Sequence, residues 1–148
     1  MPTVLITGTS TGFGRVTTEL LAARGWRVFA TMRDLARRDS LERALRDAGL
    51  SERVTFVQLD VTDPASIEAA VASVLSEAGN TLDAVVNNAV VAVAGALEDL
   101  SDADIRRVME TNFFGVLELT RALLPVFREQ RRGRIVLLSS QAAFAGQP

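Results

Sequence analysis

Short runs of aliphatic and β-branched residues alternate along the chain with longer stretches whose apolar positions recur every three or four residues. The short runs are Thr3-Val4-Leu5-Ile6-Thr7, Arg27-Val28-Phe29-Ala30-Thr31, Val54–Leu59, Leu82–Asn87 and Arg134-Ile135-Val136-Leu137-Leu138. Consecutive apolar positions, rather than alternating ones, predict strands covered on both faces. The longer stretches predict helices with readable ends. Phe13–Arg24 stops at Gly25. Ser40–Ala48 carries Leu41, Ala44 and Leu45 on one face and closes at Gly49. Asp63-Pro64 supplies an N-cap acid and a proline at the first helical position of a helix that buries Ile67, Val71 and Val74 or Leu75 and ends at Gly79. Ser101, with Asp104 three residues on, caps a long helix. Its apolar stripe runs Ile105, Val108, Met109, Phe113, Val116, Leu117, Leu123, Leu124 and Phe127, with Thr120 as a late polar interruption; Pro125 is expected to kink it and Gly133 to stop it. Apolar strands separated by helices require parallel pairing through right-handed crossovers, so the fold class is α/β, a doubly wound parallel sheet. There is no repeat and no interdomain linker, and residues 1–148 read as one domain.

Composition narrows the chemistry. The chain has 148 residues, 48% of them hydrophobic and 23% charged, with net charge −2, which excludes disorder and gives no basic surface for nucleic acid. It contains no His, Cys or Tyr, and all 16 basic residues are Arg. A Ser-His-Asp triad, a thiolate nucleophile, an ordinary zinc site, a Walker-type phosphate loop and a Schiff-base lysine are thereby excluded within these residues, and no metal ligands are assigned. The charge-free stretches Met1–Gly14, Ala84–Leu97 and Ile135–Pro148 are broken by polar residues and fall short of the ~20 apolar residues of a membrane span. The start lacks a basic region and a long apolar run, so no secretory signal is expected. Absence of cysteine fits a reducing interior, and a soluble cytoplasmic protein is the expectation.

The most informative segment is Thr7-Gly8-Thr9-Ser10-Thr11-Gly12-Phe13-Gly14, between the first strand and the first helix. Glycines there allow backbone N–H groups to approach a diphosphate, and the helix N-terminus behind them adds donors and partial positive charge. The spacing Gly8-x3-Gly12-x-Gly14 resembles the TGxxxGxG turn of short-chain dehydrogenases/reductases, not the GxGxxG fingerprint or the turn of their extended, epimerase-like relatives. Further motifs follow in family order: Asp60-Val61 after the third strand, Asn87-Asn88-Ala89 after the fourth, Asn112 in the long helix, and Ser139-Ser140 after the fifth. The resemblance spans the chain. It implies a three-layer Rossmann-type domain with strand order 3-2-1-4-5 and a dinucleotide across the carboxyl ends of the strands.

Roles follow for the matched positions. The turn residues Gly8, Ser10, Thr11, Gly12, Phe13 and Gly14 are expected to hold the diphosphate, with Arg15 as a further donor. Where an NAD-binding turn carries a carboxylate, this chain has Met32, followed by Arg33. A 2′-phosphate would be paired by Arg33, so NADP(H) is expected over NAD(H); the alternative is that Arg33 is one solvated charge of an Arg-rich stretch. Asp60, with Val61 beside it, is implied to meet the adenine amino group. By resemblance, the segment at Asn87 and Asn88 is implied to brace the sheet and line the nicotinamide ribose; the alternative is a structural role alone, more so for Asn87 than for Asn88. Val90 stands where the family has Gly, and is expected to crowd the ribose or shift the backbone. Asn112, by resemblance, opens the helix and holds a water in a proton relay; the alternative is an Asn bonded to a neighbouring loop. Ser140 corresponds to the serine that hydrogen-bonds the substrate oxygen.

The implied activity is interconversion of a carbonyl and an alcohol on a small-molecule substrate, and a similarity of Val28–Asp34 and Gly95–Glu98 to steroid- or retinol-reductase-like and bacterial members does not choose which. The family's proton donor is a Tyr, assisted by a Lys, in a Tyr-x-x-x-Lys segment on the helix after the fifth strand. Eight residues follow Ser140 here, and the chain has neither residue type. Two readings stand: the front part of a reductase, C-terminally incomplete and expected to be inactive alone, or a non-catalytic dinucleotide-binding sensor or interaction module. The first predicts an open sheet edge, an exposed apolar helix face and self-association; a homo-oligomer is expected in either case.

Overall fold

In a computed structural model of the chain, residues 1–143 are described. Five strands form one parallel sheet: β1 (Thr3–Ile6), β2 (Arg27–Met32), β3 (Val54–Gln58), β4 (Ala84–Asn87) and β5 (Arg134–Leu137), in the order β3-β2-β1-β4-β5. The register sets Leu5 beside Phe29 and Val85, and Val86 beside Val136. Helices cover both faces. Leu5, Phe29, Val57 and Val85 pack with α3 (Pro64–Glu77) and α5 (Gly115–Glu129), through Ile67, Val71, Val74, Leu119, Leu123 and Phe127. Val4, Ile6, Val28, Ala30, Ala84 and Val86 pack on the other face with Ala22 of α1 (Gly12–Ala23) and with Leu41 and Leu45 of α2 (Asp39–Asp47). Alternate residues of each central strand therefore serve opposite cores, which is why those strands read as continuous apolar runs. The expected doubly wound, three-layer fold with order 3-2-1-4-5 is the one observed. No helix among the described residues is long and apolar enough to cross a membrane.

The helix starts follow local chemistry. Asp63 accepts the Ala65 N–H at 3.0 Å, and Ser101 accepts the Asp104 N–H at 3.1 Å at the head of α4 (Asp102–Met109). Two expectations for the long helix, its buried stripe and its stop at Gly133, need correction. It is not continuous: a π turn, Glu110–Phe114, separates α4 from α5. Its buried side is Thr111, Gly115, Leu119, Leu123 and Phe127, whereas Ile105, Met109, Phe113 and Leu117 of the predicted stripe are exposed. The π turn inserts an extra residue and so rotates the helix after it relative to the helix before it. Gly115, directly after it, lets α5 press on the segment following β3: a Cβ there would lie 2.8 Å from Val61 Cγ2 and from the Val61 carbonyl oxygen. α5 continues through Pro125, and it is Arg131 at φ 53°, not Gly133, that takes the left-handed position after it.

The fifth strand is exposed at every position, with Leu137 58% accessible, and the outward apolar residues of α4, the π turn and α5 are likewise uncovered.

Candidate functional site

The carboxyl ends of the first four strands open onto a cleft of about 650 Å³. Its wall is built from the turn after β1, the residues after β2, Leu59–Val61 after β3, Asn88–Val91 after β4, and Thr111 of the π turn.

The turn after β1 is held in place by its neighbours. Buried Thr7 is the hub: its Oγ1 accepts the Asn88 and Ala89 N–H groups, each at 2.9 Å, and its own N–H donates to the Val86 carbonyl at 3.0 Å. The Asn88 amide donates to the carbonyls of Thr7 at 2.7 Å and Gly8 at 3.0 Å. Thr9, fully buried, donates through its N–H at 3.0 Å and its hydroxyl at 3.1 Å to the Thr31 carbonyl, fixing the turn to the end of β2. The glycines answer two constraints. Gly8 has φ +69°, and a Cβ on it would lie 2.8 Å from Ala89 Cα; a Cβ on Gly14 would overlap the Gly8 carbonyl oxygen and the Asn88 amide nitrogen. The backbone there is packed too closely for any side chain.

The start of α1 is chemically distinct from those of α3 and α4. Thr11, its N-cap residue, makes no side-chain capping bond. The first-turn N–H groups of a helix have no partner within the helix and carry partial positive charge. Gly12 and Phe13, which bear two of them, line the cleft, with Phe13 77% exposed at its rim.

After β2 the wall carries Arg33, Asp34 and Arg37 around the short helical turn Leu35–Arg38. The Asp34 carboxylate caps this turn by accepting the Ala36 N–H at 2.9 Å. Arg33 and Arg37 are exposed and have no carboxylate within 4.0 Å among the described residues, whereas Arg38 pairs with Glu42 at 3.5 Å. After β3, Asp60 Oδ1 accepts the Thr62 N–H and hydroxyl at 2.9 and 2.8 Å, leaving Oδ2 outside these bonds.

Against this frame the family comparison is decisive, for the model describing short chain dehydrogenases matches residues 2–148. The chain belongs to the short-chain dehydrogenase family. It is 36% identical over 145 residues to the 3-ketodihydrosphingosine reductase of Bacteroides thetaiotaomicron, covering 98% of this chain and 49% of that protein. It is 39% identical over 147 residues to human retinol dehydrogenase 8, covering 97% of this chain and 46% of that one. The crystal structure of an actinorhodin polyketide ketoreductase variant with NADPH superposes with a TM-score of 0.91 at 32% identity, over 99% of this chain and 56% of that one. The chain thus spans about half the length of these relatives.

Within this short-chain dehydrogenase chain, Gly8, Ser10, Thr11, Gly12, Phe13, Arg33, Asp60, Val61 and Asn88 all line the cleft. Gly14 lies behind them as the packing contact already described. Arg15 does not join them: it is engaged with Glu19 at 2.9 Å and Ser40 at 2.7 Å. Val90 lines the cleft but is 69% exposed, so its side chain is not wedged against the sheet; Asn112 instead fixes the backbone beside it. Asn112 Oδ1 accepts the Val91 N–H at 2.9 Å and its Nδ2 donates to the Val91 carbonyl at 2.8 Å, a two-point clamp from the π turn. This is the loop-bonding arrangement weighed above for Asn112, and the helix is indeed opened there. Asn87 is buried and its amide meets the Thr120 hydroxyl at 3.5 Å. Ser140 is outside the cleft wall; it is exposed, accepting the Ala142 N–H at 3.2 Å, and shares the carboxyl edge of the sheet with Asn87 through the Leu138 N–H bond to the Asn87 carbonyl at 3.0 Å.

Sequence reasoning passed over Thr7 as the hub and Arg37 as a wall residue. The signal for Arg37 was local: Arg38 has Glu42 four residues on, while Arg37 has Leu41 there.

Proposed function

We propose that the cleft binds NADP(H), and that the chain serves a reductase interconverting a carbonyl and an alcohol. What carries this reading is the uncapped start of α1 above a glycine contact that admits no side chain, with a free arginine at the end of β2. These residues fit a dinucleotide. The N–H groups at the start of α1 would take the diphosphate, Arg33 the 2′-phosphate, Asp60 with Val61 the adenine, and Asn88 the nicotinamide ribose. The relative bound to NADPH supports a nicotinamide dinucleotide, and Met32-Arg33 favours its phosphorylated form. When bound, the cofactor supplies a hydride donor or acceptor. Ser140 would orient the substrate oxygen from the same sheet edge, and Asn112 would hold the loop at Val91 in register, with the opened helix as the place for a relay water.

Reduction of a carbonyl also needs a proton for the developing alkoxide. With no Tyr, His, Cys or Lys in the 148 residues, that proton would come from a group outside them, and the chain alone would bind cofactor without turning over at family rates. The same absence suits the second reading, a dinucleotide-binding module with no reaction. Titration by nicotinamide fluorescence tests the cofactor assignment: NADPH should bind more tightly than NADH, and Arg33→Ala should remove roughly 10- to 100-fold of that advantage. Equal affinities, or a preference untouched by Arg33→Ala, would overturn it.

A further inference from the structure

We propose that Thr111 is a further binding residue of the cleft, its hydroxyl hydrogen-bonding the adenosine half of the bound dinucleotide; this rests on the cofactor reading above. The observation is a hydroxyl without a partner in a buried place. Thr111 is 8% exposed. The other buried polar residues, Thr3, Thr7, Thr9, Thr18, Thr31 and Asn87, each engage their side chains in a hydrogen bond. The Thr111 hydroxyl makes none among the described residues. Such a group is costly unless water or a ligand reaches it. No fully enclosed side-chain nitrogen or oxygen among the described residues lacks a partner, so this hydroxyl opens onto accessible space, and the space that Thr111 lines is the cleft.

The π turn is what leaves it free. A threonine in a regular helix can return its hydroxyl to a carbonyl one turn back, as Thr18 does to Gly14 at 2.8 Å. Thr111, inside the π turn, does not make that bond. Its place in the cleft follows from its neighbours. Gly115, four residues on and buried on the same side, lies against Val61. Asn112, the next residue, clamps both backbone groups of Val91. Thr111 therefore meets the cleft between the segment after β3 and the loop after β4, on one wall with Asp60, Val61 and Val91. Asp60 and Val61 form the adenine side of that wall in the reading above, and Asp60 Oδ2 also lies outside the bonds to Thr62. A neutral hydroxyl both donates and accepts, which suits the ring nitrogens and ribose hydroxyls of adenosine. The charged groups are left to Arg33 and to the N–H groups at the start of α1.

The test compares Thr111→Val, which keeps the shape and removes the hydroxyl, with Thr111→Ser, which keeps the hydroxyl, in the full chain titrated with NADPH, NADH and 5′-AMP. Thr111→Val is expected to weaken all three by about three- to tenfold, the worth of one hydrogen bond, and to leave the ratio of NADPH to NADH affinity unchanged. Thr111→Ser is expected to stay within about twofold of the parent chain. The hydroxyl carries no charge, so raised salt should not alter the Thr111→Val penalty. Without nucleotide, the urea midpoint of Thr111→Val should not fall, since no bond within the protein is lost. If Thr111→Val binds all three ligands like the parent, the role of Thr111 is refuted while the cofactor reading, judged on the parent, stands. If the parent binds neither NADPH nor NADH, that reading fails and the proposal with it. Losses of NADPH and NADH without loss of 5′-AMP, equal losses in Thr111→Val and Thr111→Ser, or a lower urea midpoint in Thr111→Val would each overturn the proposal.

Discussion

Replacing Thr7 by Val tests how the cleft is held open. Valine matches threonine in shape but cannot accept a hydrogen bond. The Thr7 hydroxyl accepts two backbone N–H groups, from Asn88 and Ala89, both at 2.9 Å in a partly buried place. Leaving a buried donor without a partner costs about 1–3 kcal/mol, and partial solvent access puts each of these near the lower end, so the pair should cost about 2–4 kcal/mol. For a domain of this size that is a fall in Tm of about 5–12 °C. Urea unfolding followed by Trp26, the single tryptophan, gives the free-energy change, and Thr7→Ser is the control that keeps the hydroxyl. NADPH affinity should fall in Thr7→Val as well, because Asn88 and the glycine turn lose their common anchor. A Thr7→Val change below about 0.5 kcal/mol, within the ordinary range for surface substitutions, would refute the reasoning. So would Thr7→Ser being as damaging as Thr7→Val, since packing of the methyl group would then be the cause.

Two further outcomes follow from the same geometry. Asn112→Ala removes both bonds to the Val91 backbone and should cost about 2 kcal/mol, with faster amide hydrogen exchange at Val91; Asn112→Asp, which keeps only the acceptor, should be intermediate by urea unfolding. Exposed Leu137 and Val136 on the edge strand, with Met109, Phe113 and Leu117 on the helical face, should cause concentration-dependent self-association in sedimentation experiments, reduced by Leu137→Arg; a clean monomer at high concentration would refute this.

The sheet was legible because each central strand serves two cores. With Val4 and Ile6 facing one and Leu5 the other, hydrophobicity has no gaps, and glycines mark the helix ends at Gly25, Gly49 and Gly79, all at positive φ. The glycine turn after β1 was legible for a related reason: the close contact of Gly14 with Gly8 permits one residue type. The apolar pattern did not carry the π turn, which changes backbone hydrogen-bond register without changing which residues are apolar; only the resemblance at Asn112 implied an opened helix. Asn112, a poor residue for a helix interior, was its one trace. The burial of the long helix was misread in consequence, with Leu119 left off the stripe and Phe113 placed on it. Thr7 was passed over because its importance lies in partners 81 and 82 residues away, which no local pattern encodes.

The central claim is that main-chain amides at the start of α1 hold the diphosphate of NADP(H). Backbone amide shifts recorded by NMR during an NADPH titration address it directly. The account predicts saturable shifts concentrated at Ser10 to Gly14, with Asn88 and Arg33 following at the same apparent affinity. Saturable binding that leaves the amides from Ser10 to Gly14 unmoved would contradict it.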